Sequence, residues 1–273
     1  MTAAPADKRA AFRALHQSGC FVLPNPWDIG SARLLQQMGF KALASTSSGL
    51  AWSMGRCDNH VALEEVLAHL TALCAATDLP VNADFEAGFA DDPEGVAANV
   101  IRAAATGVAG LSIEDSTGRP EAPLYDKGLA VARVAAARAA LDAEGSGVLL
   151  VGRCEAFLFG NRDVGFVIDR LTAYAEAGAE CLYAPGLRTR EEIASVVEAL
   201  APKPVNVLMG APGLSVAELA DLGARRISTG GALARVAWAG FLRAARAIAD
   251  DGSFDGLAAA VPHGEINGLF PDA

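Results

Sequence analysis

The stretches PVNADF (80–85), GLSIED (110–115) and VLLVGR (148–153) share one plan, an apolar run without helical spacing that ends on charge. Each has strand length and the apolar character of a strand buried on both faces, as in a parallel sheet. Asp84, Glu114 and Arg153 stand at the ends of these runs. An uncompensated charge in such a place is costly, so the three are expected to meet one another, a metal or a ligand. Working outward, five more runs have the same look: FVLPN (21–25), ALAST (42–46), CLYAP (181–185), PVNVL (204–208) and RISTG (226–230). Between them lie Ala-rich segments with helical repeats, near 29–38, 61–76, 93–106, 128–143, 163–177, 189–199, 215–222 and 231–250. Val61, Leu63, Val66, Leu67 and Leu70 show the spacing well. Strands and helices in strict alternation predict an α/β fold, a (β/α)8 TIM barrel. It forms one domain over 1–273 with a C-terminal helical extension. An open doubly wound sheet ranks second, because no G-x-G-x-x-G follows the first strand.

Charge sets the broad class. The 273 residues hold 22 Lys plus Arg against 32 Asp plus Glu, a formal net charge of −10, and 52% of them are hydrophobic. That composition builds a large core and excludes a disordered chain. Without a Lys/Arg cluster the chain cannot neutralise a run of phosphates, so no nucleic-acid partner is expected. No stretch of about 18 residues stays apolar, so no membrane partner is expected either. Five cysteines (Cys20, Cys57, Cys74, Cys154, Cys181) are an odd number with no Cys-x-x-Cys spacing. They read as small hydrophobes in a reducing compartment, which points to the cytoplasm.

In a barrel the strand C-termini face the active site. Asn25, Thr46, Ser47, Ser48, Asn82, Asp84, Glu86, Glu114, Asp115, Arg153, Glu155, Asn206, Ser228 and Thr229 fall there. Asp28, Asp92, Asp163 and Ser215 precede helical runs and read as N-caps. None of the four lysines ends a strand, which excludes a Schiff-base aldolase. The four histidines form no His-x-His or His-Glu-x-x-His, and His69 reads as a satisfied surface residue. What remains is oxygen chemistry. Asp84 and Glu114, with Asp58 in the loop after the second strand, suit Mg²⁺ or Mn²⁺. Arg153 offers a fixed fork of donors to a carboxylate, and Ser48-Gly49-Leu50 offers a hydroxyl and backbone N–H groups. Such a site holds a small α-oxo acid, with the cation stabilising the enolate formed when a bond to C3 breaks.

The segments SSGLAWSMGRCD, NADFEAGF, GLSIED, VGRCEA, RLTAYAEAGAECLYAPGL and LADLGARRISTGGALARVA, taken in order over about residues 20 to 250, resemble the isocitrate lyase/phosphoenolpyruvate mutase superfamily. The resemblance implies a (β/α)8 barrel, often with its last helix swapped between subunits of a homo-oligomer (dimer or tetramer). It also implies chemistry on C–C or C–P bonds of oxo acids through Mg²⁺-bound enolates. Carried over, Ser48, Gly49 and Leu50 match the segment that binds the oxo-acid carboxylate, with Asn206 taken as a further substrate contact. Asp58 matches an aspartate near the reacting group, Asp84 and Glu114 match metal-holding acids, and Arg153 matches the arginine that grips the substrate.

Two departures stand out. The family usually reads Asp-x-Asp where this chain has Asn82-Ala83-Asp84, so the metal set becomes Asn82, Asp84 and Glu114. Glu86 restores the missing charge if the strand end bends enough to turn it inward; on period-two geometry it shares a face with Asn82 and Asp84. The loop after Asp115, STGRPEAPLYDKG, lacks the Cys and His of isocitrate and methylisocitrate lyases, and it reads as a mobile lid. Cys57 and Cys154 read as packing residues. The chain is therefore expected to be a lyase-type enzyme of a branch other than isocitrate lyase, related to phosphonopyruvate hydrolase, oxaloacetate decarboxylase and methylisocitrate lyase-like proteins. The competing reading is a non-catalytic oxo-acid-binding protein that keeps the pocket. Replacing Arg153 by Ala is expected to abolish oxo-acid binding and leave the fold intact.

Overall fold

The structure is a computed structural model that describes residues 3–270. Helix α1 (Pro5–Leu15) comes first. The alternation then runs β1 (Phe21–Leu23), α2 (Ile29–Gln37), β2 (Leu43–Ala44), the short α3 (Ser47–Ser53), α4 (Leu63–Ala76), β3 (Val81–Asp84) and α5 (Pro93–Ala105). It continues through β4 (Gly110–Glu114), α6 (Lys127–Ala143), β5 (Leu149–Arg153), α7 (Val164–Glu176), β6 (Cys181–Tyr183) and α8 (Arg190–Leu200). The last units are β7 (Val205–Leu208), α9 (Val216–Asp221), β8 (Arg226–Ser228) and α10 (Ala232–Asp251). A 3₁₀ turn (Asp255–Ala259) and α11 (His263–Gly268) follow.

Every strand pairing is parallel, in the order β1-β8-β7-β6-β5-β4-β3-β2. Ala44 N donates to Pro24 O at 3.0 Å, and Asn25 Nδ2 donates to Ser45 O at 2.8 Å, which draws β1 and β2 together and nearly closes the (β/α)8 barrel. All eight anticipated strands form, with ends displaced by no more than two residues. Asp28, Asp92, Asp163 and Ser215 each accept a backbone N–H of the helix they precede, so all four are the caps the sequence indicated.

Alternation along the strands divides the core in two. Outward residues such as Val81, Leu111, Leu150 and Leu182 pack under the helices, while Leu23, Ala44, Leu149, Val151 and Cys181 fill the barrel. Helix α1, which the sequence reading did not assign, plugs the barrel's N-terminal end. Phe12 is fully buried and stacks edge-on with His16 and Phe21. Lys8 Nζ donates to the carbonyls of Cys74 (2.8 Å) and Thr77 (2.6 Å), satisfying a buried ammonium with the end of α4.

The loop after β4, expected from its Gly, Pro and charge to be a mobile lid, is folded as a hairpin. Ser116 and Leu124 bridge, Thr117 N donates to Pro123 O at 2.9 Å, and Tyr125 is buried with the Arg133 guanidinium 3.9 Å from its ring centre. These partners anchor both ends of the loop to the barrel wall. No helix among the described residues is long and apolar enough to cross a membrane.

Candidate active site

Residues at or near the C-terminal ends of all eight strands surround a cavity of about 230 Å³. Asn25, Ser47, Ser48, Asp58, Asn82, Asp84, Ser112, Arg153, Tyr183 and Arg226 contribute polar groups to its wall. Asp84 is fixed by its neighbours: its N donates to Ser45 Oγ (2.8 Å), and its Oδ2 accepts from Ser47 N (3.0 Å). Arg153 stands opposite. Its Nη1 lies 3.1 Å from Asp84 Oδ1 and 3.3 Å from Glu114 Oε2, and its Nε donates to Glu155. Tyr183 adds its ring face, 5.0 Å from the guanidinium. The Nη2 group has no protein partner among the described residues, so one end of the fork remains for a ligand.

This ion network gives Arg153 a second role. A buried guanidinium that neutralises three carboxylates holds the strand ends together, so its removal should cost stability even where the fold stays intact. Burial opposes its charge, but Glu155 and Glu114 outweigh that and hold it protonated. Glu155 itself was placed among the strand-end polar residues but given no role. It is 3% exposed and its N donates to Asp115 Oδ1 at 2.8 Å. Asp115 in turn accepts from Arg170 (2.9 Å) and Tyr174 (2.6 Å), a buried brace below the site.

The acidic side chains crowd one another. Burial, only partly offset by Arg153, holds the Glu114 carboxyl well above its ordinary range. Glu86 is pushed up to about 8, first by burial and then by the charges of Asp84 and Asp58. It sits just past the end of β3 at φ 47°, and this left-handed residue is the bend that brings its carboxyl toward Asp84. Asp58, at the exposed rim, is raised by partial desolvation and by Asp84, against a hydrogen bond with Ser47.

The other anticipated residues are divided between the cavity wall and positions away from it. Asn82 is 2% exposed and sits one layer below Asp84; its Nδ2 donates to Ala83 O, and its Oδ1 accepts from Arg226 at 3.3 Å. Asn206 is fully buried between Ser228 Oγ (2.9 Å) and Arg226 Nε (2.8 Å) and does not line the cavity. Of Ser48, Gly49 and Leu50, only Ser48 reaches the cavity. The N–H groups of Gly49 and Leu50 serve α3, bonding Thr46 Oγ1 and Thr46 O. Gly49 is required by space, since a Cβ there would lie 2.6 Å from Thr46 Cγ2. Cys154 is buried as expected, but Cys57 is exposed, unlike the packing residue anticipated. His69 is half-buried with Nε2 unpartnered, unlike the satisfied surface residue foreseen.

Among the described residues no three His, Cys, Asp or Glu side chains converge as a ready metal cluster. The donor chemistry nonetheless fits a hard divalent cation. Asp58, Asp84, Glu86, Glu114 and Glu155 present oxygen donors; burial and neighbouring charge raise the pKa values of Asp58, Glu86, Glu114 and Glu155, and Arg153 is the cation that faces Asp84, Glu114 and Glu155.

Comparison with known proteins gives the same direction. Residues 12–249 match the phosphoenolpyruvate phosphomutase family. A solved structure from Burkholderia cenocepacia J2315, provisionally assigned as a lyase/mutase, is 49% identical with a TM-score of 0.94, covering 98% of this chain and 97% of that one. The structure of 2,3-dimethylmalate lyase is 27% identical with a TM-score of 0.85, covering 98% and 95%. The oxaloacetate decarboxylase of Pseudomonas putida (strain GB-1) is 30% identical over 234 residues, 82% of this chain and 78% of that protein.

Proposed function

The chain belongs to the phosphoenolpyruvate mutase/isocitrate lyase superfamily, a group of lyases and mutases acting on oxo acids, and on that premise we propose that it is a Mg²⁺-dependent lyase for a small α-oxo acid or a C3-substituted derivative. The reaction is C–C or C–P cleavage through an enolate. The observation that carries this reading is the half-engaged Arg153: three carboxylates hold its Nε and Nη1, while Nη2 has no protein partner and the residue lines the cavity. A planar fork fixed in this way suits the carboxylate and adjacent oxo oxygen of an oxo acid. Ser48 Oγ adds a donor on the facing wall.

Asp84, Glu86 and Glu114 would hold the divalent cation, Mg²⁺ or Mn²⁺, partly through water; Asn82, turned to Arg226, is left out of that set. When bound, such a cation supplies Lewis-acid stabilisation of negative charge on the oxo oxygen. The protein's own groups do the rest. Arg153 orients the acid and shares the charge that develops as the bond to C3 breaks. Asp58, at the rim and with a raised pKa, can exchange a proton with C3 as the enolate forms or collapses. The cavity of about 230 Å³ admits a small acid and excludes nucleotides.

We place the protein in the cytoplasm as a homo-oligomer, dimer or tetramer. Helix α10 supports this, for Trp238, Phe241 and Leu242 are exposed along it, Phe241 at 60%. The test of function is an NMR screen of C3-substituted oxo acids with Mg²⁺ and with EDTA. Turnover that EDTA abolishes supports the assignment, and no turnover on any of them overturns it.

A further inference from the structure

Arg226 opens β8 and points into the barrel, where it is 2% exposed. A buried guanidinium is ordinarily matched by a carboxylate, because an isolated buried charge is costly. Here no carboxylate among the described residues lies within ion-pair distance. Its partners are all neutral: Nε donates to Asn206 Oδ1 (2.8 Å), and Nη1 faces Asn82 Oδ1 (3.3 Å) and His16 Nε2 (3.5 Å). His16 gives no negative charge, and its Nδ1 is taken by Phe12 O, so its Nε2 serves as an acceptor. The Nη2 group has no protein partner among the described residues, and Arg226 lines the same cavity as Arg153.

From this arrangement we propose that Arg226 is an anion-binding group at the cavity floor, which receives the distal carboxylate of a dicarboxylic oxo acid while Arg153 holds the oxo-acid end. Two neutral amides, Asn82 and Asn206, orient the guanidinium without neutralising it, so its charge is kept for the ligand. The inference deepens the reading above by naming the substrate class, and it rests on that reading for the oxo-acid end only. The floor itself requires just a carboxylate.

Calorimetry on the whole protein with Mg²⁺ tests it, using oxaloacetate, pyruvate and succinate, the last a diacid with no oxo group. The wild type is expected to bind oxaloacetate more tightly than pyruvate. Arg226→Met should reduce that preference about tenfold or more, the size expected of a charge-assisted hydrogen bond. Asn206→Asp supplies an internal counterion with little change of volume and should do the same, which covers the case in which Arg226→Met does not fold. An unchanged oxaloacetate-to-pyruvate ratio in a folded variant overturns the role of Arg226 and leaves the oxo-acid reading standing. Succinate binding that depends on Arg226, without binding of either oxo acid, upholds the floor site and overturns the oxo-acid reading. Absence of binding by all three acids overturns both.

Discussion

Arg153→Met tests whether the guanidinium is the keystone of the barrel mouth. The side chain is 15% exposed and contacts Asp84, Glu114 and Glu155. Removing one partner of a buried ion pair costs about 3–5 kcal/mol, because the other charge is left uncompensated. For chains of this size about 2–4 °C of melting temperature is lost per kcal/mol, so a drop of roughly 6–20 °C is expected near pH 8. The loss must also depend on pH. Burial already holds Glu114 and Glu155 above their ordinary pKa values with Arg153 present, and without it they rise further. A carboxyl whose folded pKa exceeds its unfolded value weakens the fold as pH rises from the unfolded value to the folded one. The variant is therefore less destabilised at pH 5.5, where protonation removes the unpaired charges, than at pH 8. Adding Glu155→Gln should restore part of the stability at pH 8, since it deletes the charge bonded to Nε. Thermal unfolding followed by circular dichroism at both pH values measures this. A melting temperature within 2 °C of wild type at pH 8, or a loss that does not change with pH, would refute the reasoning.

Three further outcomes are expected. Asp84→Asn keeps the acceptor for Ser47 N but lowers the site's charge, so metal-dependent turnover should fall by about a hundredfold or more while the protein stays folded; unchanged turnover at saturating Mg²⁺ removes Asp84 from the metal set. His16 is held down to about 3, by burial first and by Arg226 second, and must be neutral in the fold. Its unfolded form binds a proton below about 6.5, so stability falls by about 1.4 kcal/mol per pH unit as pH drops from there toward 3; His16→Gln should flatten that limb by about one proton in denaturant titrations, and an unaltered slope contradicts it. Phe241→Asp on α10 should shift the mass seen by light scattering from oligomer toward the 28.0 kDa chain, and a wild type that is already monomeric ends the assembly proposal.

The barrel was legible because its signals are local and repeated. Most strands are short apolar runs closed by a polar residue, and each cap stands directly before its helix, as with Asp28 and Asp92. What the sequence hid has physical causes. Helix α1 brings only two large apolar residues to the barrel core, Phe12 and the partly buried Leu15, too short a stripe to announce it. Helix α3, SSGLAWS, is seven residues of largely turn-forming composition, stabilised by the Thr46 cap and by Trp27 packing on Gly49. Site depth was also invisible. Period two puts Asn82, Asp84 and Glu86 on one face, but it does not say that Asn82 lies a layer lower, bonded to Arg226 from a strand more than a hundred residues away. Nor does it say that chain direction breaks at Glu86, whose positive φ is what brings its charge to Asp84.

The most direct test of the central claim is a crystal structure of the protein soaked with Mn²⁺ and an oxo acid. Anomalous density beside Asp84, with the acid's carboxylate on Arg153 Nη2, is the predicted result. An acid bound away from the strand ends, or a barrel mouth that takes up neither metal nor acid at saturating concentration, would contradict it.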